Sequence, residues 1–426
     1  MPRGSLPVLI GIGALLLCVV RLANAGIDLG TDRVRLSGFA TLGVTRGGNE
    51  TLGFQRDLER KGVFNGNWTL QTDSLLGLQL DADLTDALSA TVQMVYKDRP
   101  KASLKDYLDW AFLRYRFGPD WTVRVGRMGI DLFMLSDYRE VGFSYLWARP
   151  PVEYYTVLAF NHFDGADVAY STPAGVGTFT AKMFAGQIDN TFNAFGNTLQ
   201  FKFKPVVGGT FGWETENWQT RFSISSLKTD LSEDYLSGTL GLVQGLQNAS
   251  LFWPQATDYL QLINMKNKRF LYYSLGAAYD NRPWVVQSEV DYVDSTSDLM
   301  RTFAGGYFSL GYRIGPTTVY GMLAKVKNLK SRQTISPPPS IPGNPVLDAQ
   351  LALLQQSTQT LVDGPNFNQQ TASVGMRWDI RYDLALKVQW DHTWVNAYGS
   401  GLWDQREILT QDKSLNTFSI NLNGVF

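Results

Sequence analysis

Arg114 and Arg116 stand two residues apart, and Arg124 follows across the stretch Gly118-Pro119-Asp120. Tyr115 and Phe117 lie between and beyond the first two. On an extended chain residues two apart share a face. The spacing therefore gathers guanidinium groups on one patch and aromatic rings on the opposite one. Arg and Lys on a wet wall attract anions and orient passing dipoles. Arg35 and Arg221 are expected on the same inward side of their own segments. Opposing carboxylates are available in segment 129–163, which carries Asp131, Asp137 and Glu140 beside Arg139, and further on Arg149-Pro150-Pro151-Val152-Glu153. Opposite charges across a narrow wet gap set up a transverse field. A pair about 4 Å apart is worth about 4 kcal/mol at an effective dielectric constant near 20, and about 1 in water. Selectivity from such a field is weak and sensitive to salt.

Other chemistries find less support. His162, in Asn161-His162-Phe163-Asp164, raises a Ser-His hydrolase, but a triad needs a nucleophile held against the ring in space. His162 is expected at the surface of a loop-to-strand junction, and His392 on an outward face near the outer rim. No catalytic residue is assigned, and the chain is not expected to be an enzyme. The single Cys, Cys18, lies in an N-terminal apolar run, and no His pair has ligand spacing, so no metal or cofactor is expected. Phosphate-loop and dinucleotide motifs are missing. With 38 Lys+Arg against 39 Asp+Glu and a net charge of -1, nothing points to nucleic acid as a partner.

The elements that must hold these residues are strands. Charged residues make up only 18% of the chain, aromatics 13%, and there are 40 Gly. The only long apolar run is Leu6 to Val20, preceded by Arg3 and followed by Ala23-Asn24-Ala25. That is the pattern of a cleaved secretory signal over 1–25, leaving one barrel domain over 26–426. Removal of Arg3 and Arg21 takes the net charge from -1 to -3. Near the C-terminus Phe418, Ile420, Leu422, Gly424 and Phe426 alternate with Thr417, Ser419, Asn421 and Asn423. Period two over this length predicts strand.

Sixteen such segments are predicted. The first eight are 34–46, 68–83, 88–98, 107–117, 121–128, 164–172, 177–187 and 206–215. The others are 218–228, 269–280, 284–294, 303–314, 317–328, 370–380, 384–395 and 415–426. Seven connections are very short and built of Gly, Pro, Asn and Asp, residues that suit tight turns. They alternate with long ones at 47–67, 99–106, 129–163, 188–205, 229–268, 295–302, 329–369 and 396–414. The fold class expected is all-β: an up-and-down antiparallel barrel of the outer membrane with short periplasmic turns and long external loops. Polar faces carry Arg114, Arg124, Glu289, Asp291 and Lys387, so the charged side must look into a wet channel and the apolar side at lipid. Phase also assigns Lys97, Lys182, Lys325, Lys327 and Arg377 inward, against Asp73, Asp81, Asp167 and Asp391. Bases outnumber acids there, and a mild anion preference follows. Tyr115, Trp121, Trp218, Trp284, Tyr312 and Trp378 fall beside short turns, as an interfacial girdle requires. In loop 329–369, Leu347, Leu351, Leu354 and Leu361 have helical spacing. Loop 229–268 is also rich in apolar residues, so both loops are expected to pack as a lid or to line a substrate groove.

The signal, the sixteen strands with seven short turns, and the final segment Leu415 to Phe426 together resemble the trimeric general porins of Gram-negative bacteria. The resemblance implies a homotrimer in the outer membrane, in contact with lipid and lipopolysaccharide, that passes small hydrophilic solutes by passive diffusion. It implies that Phe418, Leu422 and Phe426 belong to the signal read by the barrel insertion machinery. It also implies that loop 129–163 folds into the lumen, although the Pro-Glu-Phe-Gly stretch of enteric porins is absent there. A substrate-selective channel and, further off, a barrel hydrolase are the competing readings.

Overall fold

Backbone amides cannot remain unpaired in hydrocarbon, so a sheet that crosses a bilayer must close on itself. The computed structural model describes residues 27–28, 32–99, 103–158, 160–194, 197–230 and 240–426. The expected signal segment 1–25 lies outside the described residues. Sixteen antiparallel strands form one closed barrel. The first eight are β1 (Val34–Arg46), β2 (Leu75–Asp83), β3 (Leu88–Lys97), β4 (Leu108–Phe117), β5 (Trp121–Gly129), β6 (His162–Ala174), β7 (Gly177–Ala194) and β8 (Asn197–Glu214). The second eight are β9 (Trp218–Thr229), β10 (Arg269–Asn281), β11 (Trp284–Ser295), β12 (Phe303–Ile314), β13 (Thr317–Asn328), β14 (Phe367–Arg381), β15 (Leu384–Ser400) and β16 (Lys413–Val425). Each pairs with its chain neighbours, and β16 pairs with β1 from Phe39↔Val425 to Arg46↔Phe418. Phe426 completes the seam. It exchanges two backbone hydrogen bonds of 2.9 Å with Gly38.

The faces follow the alternation. Phe418 and Ile420 are each 45% exposed on the outside, while Thr417, Ser419, Asn421 and Asn423 are buried inside. The outward aromatics beside the short turns are all exposed. Tyr115, Phe117, Trp121 and Tyr170 make a continuous run of ring contacts at 4.8–6.5 Å. Gly118 turns the chain at φ +70° with nothing within 4 Å of an added Cβ. Backbone conformation alone therefore calls for glycine there.

Three expectations need correction. Segment 188–205 is not a loop: β7 and β8 stay paired up to Ala194↔Asn197. The hairpin extends because Ile188, Phe201 and Phe203 point inward and are buried. Pro205, which cannot donate to a ladder, is absorbed where the β8–β9 register shifts. Segment 68–83 is not one strand, since only Trp68–Thr69 and β2 are extended. Asp73 lies in the bend between them, fully buried. Lys325 and Lys327 face outward. The inward positions beside them, Met322, Ala324 and Val326, are buried against apolar side chains. At the long-loop end, a lysine on the outer face can extend its ammonium to water.

Among the described residues five α-helices sit in the long loops: α1 (Leu104–Tyr107), α2 (Val152–Tyr155), α3 (Leu240–Ala249), α4 (Ala256–Ile263) and α5 (Pro345–Asp363). The side chain of Asn344 caps α5 by accepting from Leu347 N at 3.1 Å, with Pro345 in the first turn, the start signal such a helix favours. Helices α3, α4 and α5 pack on one another, burying Leu246, Trp253, Tyr259, Ile263, Leu351 and Val362. Among the described residues no helix is long and apolar enough to cross a membrane.

Deletion of Phe426 removes both hydrogen bonds at the seam and should abolish the heat-modifiable folded band. In vesicle refolding, Ile420→Arg on the lipid face should cost about 2–4 kcal/mol, and Thr178→Arg on the lumen face little. Equal costs at the two positions would reverse the assignment of the faces.

Candidate pore constriction

After β5 the chain turns inward, and segment 130–161 fills much of the barrel. Gly142 makes this approach possible: a Cβ there would lie 2.3 Å from Asn423 Nδ2 and 2.7 Å from Thr41 Oγ1. Lys387 Nζ donates to the carbonyls of Gly142 at 2.5 Å, Trp147 at 2.9 Å and Tyr145. Ala148 N donates to Gln389 Oε1 at 2.9 Å, and Asn421 Nδ2 donates to Ala148 O at 2.7 Å. Arg149 reaches Asp73 at 3.3 Å and Asp391 at 3.2 Å. Glu289 accepts from Met134 N at 2.8 Å and from the hydroxyls of Tyr154, Tyr155 and Tyr307. Lys387 and Asn421 are therefore 0% exposed. The expectation that the charged face, with Glu289 and Lys387, looks into a wet channel fails on this half of the wall, where these side chains serve as anchors for the loop.

Glu140 is a second correction. It does not oppose the Arg patch. Its carboxylate takes Lys97 Nζ at 2.8 Å, and Lys97 also meets Glu59 at 3.1 Å. Arg99 adds a contact to Glu59 at 3.0 Å. Burial opposes charge on Glu140, but Lys97 and Arg56 outweigh it and hold the carboxyl well below its ordinary value. Burial likewise opposes charge on Glu59, yet Lys97 and Arg99 bring it down to about 2. Arg139 is turned back on its own loop, donating to the carbonyls of Tyr155 at 3.1 Å and Phe160 at 3.2 Å.

The remaining wall borders open space. Asp131 binds Lys182 Nζ at 2.7 Å and the Arg221 guanidinium, and accepts from Thr210 Oγ1 at 3.2 Å. Arg114 and Arg124 lie directly opposite each other on β4 and β5. Both guanidinium groups stand by the Phe112 ring, at 5.7 and 5.3 Å. Arg124 is neutralised by Asp167, with contacts of 2.5, 3.0 and 3.1 Å. Arg116 is exposed beside them. Asp137 is exposed and makes no ion pair among the described residues, and its charge reaches Arg114, Arg124 and Lys182. Arg35 sits apart, opposite Asp81 on the β1–β2 pair.

Open space follows this wall. A cavity of about 210 Å³ lies among Asp131, Asp137, Lys182 and Arg221. Glu214 and Gln219 also line a second cavity, of about 340 Å³, at the short-turn end beside Arg313 and Arg377. On the other side of Asp137 about 20 Å³ remains, beside Asp109, Trp110, Tyr138 and Asn161, room for about one water. Beyond Asp109 is His162, which is buried at 7% exposure rather than at the surface, its Nδ1 3.8 Å from Asp109. His162 borders an outer cavity of about 370 Å³. His392 faces outward and bonds Asn416 at 2.8 Å.

Of the residues singled out from sequence, Arg114, Arg116, Arg124 and Asp137 are brought to one place, and Asp131 and Arg221 to a neighbouring one. Lys182 belongs with the latter pair; its inward phase was legible, but not its carboxylate. The anchor Lys387 and the tyrosine cage around Glu289 could not have been found from spacing, since their partners lie far away in the chain.

Neither a protein-family model nor a curated protein sequence matches the chain. Solved structures do match. OmpT, an outer membrane protein of Vibrio cholerae in a trimer form, has 11% identity and a TM-score of 0.51, covering 93% of this chain and 100% of that one. The outer membrane channel DcaP of Acinetobacter baumannii has 10% identity and a TM-score of 0.52, covering 95% and 100%. OmpF of Salmonella typhi, in a complex with daunomycin, has 10% identity and a TM-score of 0.51, covering 94% and 100%. The fold is that of the porins. At these identities the likeness is one of fold alone.

Two expectations follow. Lys387→Met removes a donor from three carbonyls, so loop 130–161 should loosen and single-channel conductance should rise; an unchanged conductance would show that the loop is held elsewhere. Glu59 and Glu140 both have depressed pKa values, so their stabilisation is complete above the unfolded value near 4.5 and is lost as pH falls toward 2. The melting midpoint of the near-ultraviolet dichroism should hold between about pH 7 and 5 and drop between about 4.5 and 2. A flat midpoint over that window would contradict the charge network.

Proposed function

We propose that the chain is an outer-membrane porin passing small hydrophilic solutes and ions by diffusion, with a weak anion preference set at the constriction. One observation carries this reading. Lys387 holds loop 130–161 on one side of the barrel, and on the other Arg114 and Arg116 lack ion-pair partners among the described residues, Arg114 lies within reach of the unpaired carboxylates of Asp81 and Asp137, and open space adjoins Asp137. Lys182 and Arg221 are offset by Asp131, and Arg124 by Asp167. The local excess is therefore positive but small. Arranged across water, such charges bias ions and do not bind them firmly.

A substrate-selective channel is the second reading, favoured by the gap of about 20 Å³ beside Asp137. On this reading that gap has room for about one water, and larger solutes need a shift of Tyr138 or its neighbours. The rest of the assignment follows the porin reading: export through a cleaved signal 1–25, and insertion guided by Phe418, Leu422 and Phe426. It also includes a lipid and lipopolysaccharide environment and a homotrimer, the last supported by the trimer form of OmpT. No lumen residue is given a catalytic role.

Reversal potentials in a salt gradient test the charge assignment. The double variant Arg114→Ser, Arg116→Ser should shift selectivity toward cations at low salt, and less at high salt where screening shortens the field. Asp137→Asn should shift it toward anions. Arg124 stays in place because Asp167 depends on it. Unchanged potentials in both variants would remove these residues from the narrow part of the pore, and a protein without conductance would defeat the porin reading itself.

A further inference from the structure

Above the constriction, where a lumen for hydrophilic solutes should be polar, the wall is carbon. Phe203, Phe270, Phe303 and Phe367 stand at the long-loop ends of β8, β10, β12 and β14, all inward and buried. Their rings make contact in two groups. Phe203 meets Phe160 at 5.0 Å and Phe270 at 6.1 Å, and Phe303 meets Phe367 at 5.5 Å. Between them remains a cavity of about 150 Å³, also lined by Leu58, Leu361 and Trp403. Apolar cavities of about this size stay dry and accept benzene-sized guests.

Two polar side chains reach this cavity, Gln55 and Gln405. Gln405 is fully used, its Oε1 accepting from Ser400 Oγ at 2.9 Å and its Nε2 donating to Gly364 O at 3.1 Å. Gln55 is 2% exposed, and its Oε1 has no hydrogen-bond partner among the described residues. A buried amide oxygen without a donor is costly, and a guest carrying one O–H or N–H relieves that cost.

We propose that this cavity is a binding site for a single-ring aromatic molecule bearing one hydroxyl or amino donor, with the ring among the phenylalanines and the donor on Gln55 Oε1. Phenol is the simplest such molecule. The proposal rests on the channel reading, because it makes the cavity a stop on the way to the constriction. Phe160 lines both this cavity and the gap beside Asp137.

The test uses the full protein in planar bilayers, with phenol, benzene and glucose added in turn to the long-loop side. Phenol should modulate the current saturably, benzene more weakly, and glucose not at all. Gln55→Leu should weaken phenol about tenfold and leave benzene unchanged, the loss expected for one hydrogen bond. Leu361→Trp fills the cavity from its half-buried edge and should abolish both responses while salt conductance and the heat-modifiable band persist. A phenol effect that grows without saturation, or that survives Leu361→Trp, is partition into the membrane and overturns the proposal. Calorimetry with phenol on the detergent-folded protein separates the two readings: binding without conductance sinks the channel alone, and conductance without binding sinks the site alone.

Discussion

The structure depends on one pairing, that of β16 with β1. Until the last strand meets the first, two rows of backbone amides and carbonyls face hydrocarbon unsatisfied, and no side chain compensates for that. The ladder runs from Arg46↔Phe418 to Phe39↔Val425, and the terminal residue then adds its own two bonds to Gly38. The Phe426 ring lies over Gly38, where even a Cβ would come within 2.3 Å of Cζ. A small residue on one side and a terminal aromatic on the other thus complete the closure. The lipid-facing row at the seam is continuous only because these two residues are complementary.

Closure creates a lumen but not a pore. Sixteen strands enclose far more space than side chains can fill, and what occupies it decides the function. Here the loop after β5 occupies most of it, and its own backbone polar groups must be satisfied away from bulk water. Lys387, Gln389 and Asn421 do this on one side, and Glu289 with its tyrosines does it on another. Lumen-facing charges are therefore divided between two tasks. Those of β11, β14 and β15 hold the far part of the loop, Lys97 of β3 and Lys182 and Arg221 of β7 and β9 hold its Glu140 and Asp131, and Arg114, Arg116 and Arg124 of β4 and β5 form no ion pair with it among the described residues. The same chemical types do both, which is why counting inward bases against inward acids says little about ion preference. Position relative to the loop decides whether a charge is felt by a passing ion.

This division explains what could be read from sequence. Strand existence, strand phase and the short turns depend on local alternation and turn chemistry, and β1, β12 and β13 appear with the bounds expected of them. The helix α5 was visible in Leu347, Leu351, Leu354 and Leu361 for the same reason. Failures occur where contacts distant in the chain overrule local pattern. Segment 188–205 looks like a loop because of its Asn residues and Pro205, but phenylalanines on the inner face keep it paired. Glu140 sits three residues from Asp137 and looks equivalent to it, but Lys97 draws it into a buried network with Arg56 and Glu59. Lys325 and Lys327 fit the inward phase by charge alone, and the apolar filling of the lumen behind them reverses that assignment. In each case the deciding neighbour comes from another strand or loop, and no spacing rule reaches it.

The two halves of the lumen also meet mechanically, and the meeting point is Phe160. Its ring is part of the aromatic wall with Phe203, and its carbonyl accepts from Arg139 Nη2 at 3.2 Å. Arg139 bridges the loop to Tyr155 as well, and Tyr155 is held by Glu289. Tyr138 and Asp137, which border the narrow gap, immediately precede Arg139 in the chain. Asp137 lies between two further anchors, Met134 N on Glu289 at 2.8 Å and Glu140 on Lys97 at 2.8 Å, so a displacement of Phe160 that loses its bond releases Arg139 and leaves this arm tied at both ends. A packed interior rearranges between discrete arrangements and does not deform smoothly. Any shift of this arm is thus limited to the few residues between Met134 and Glu140, the exposed Asp137 among them.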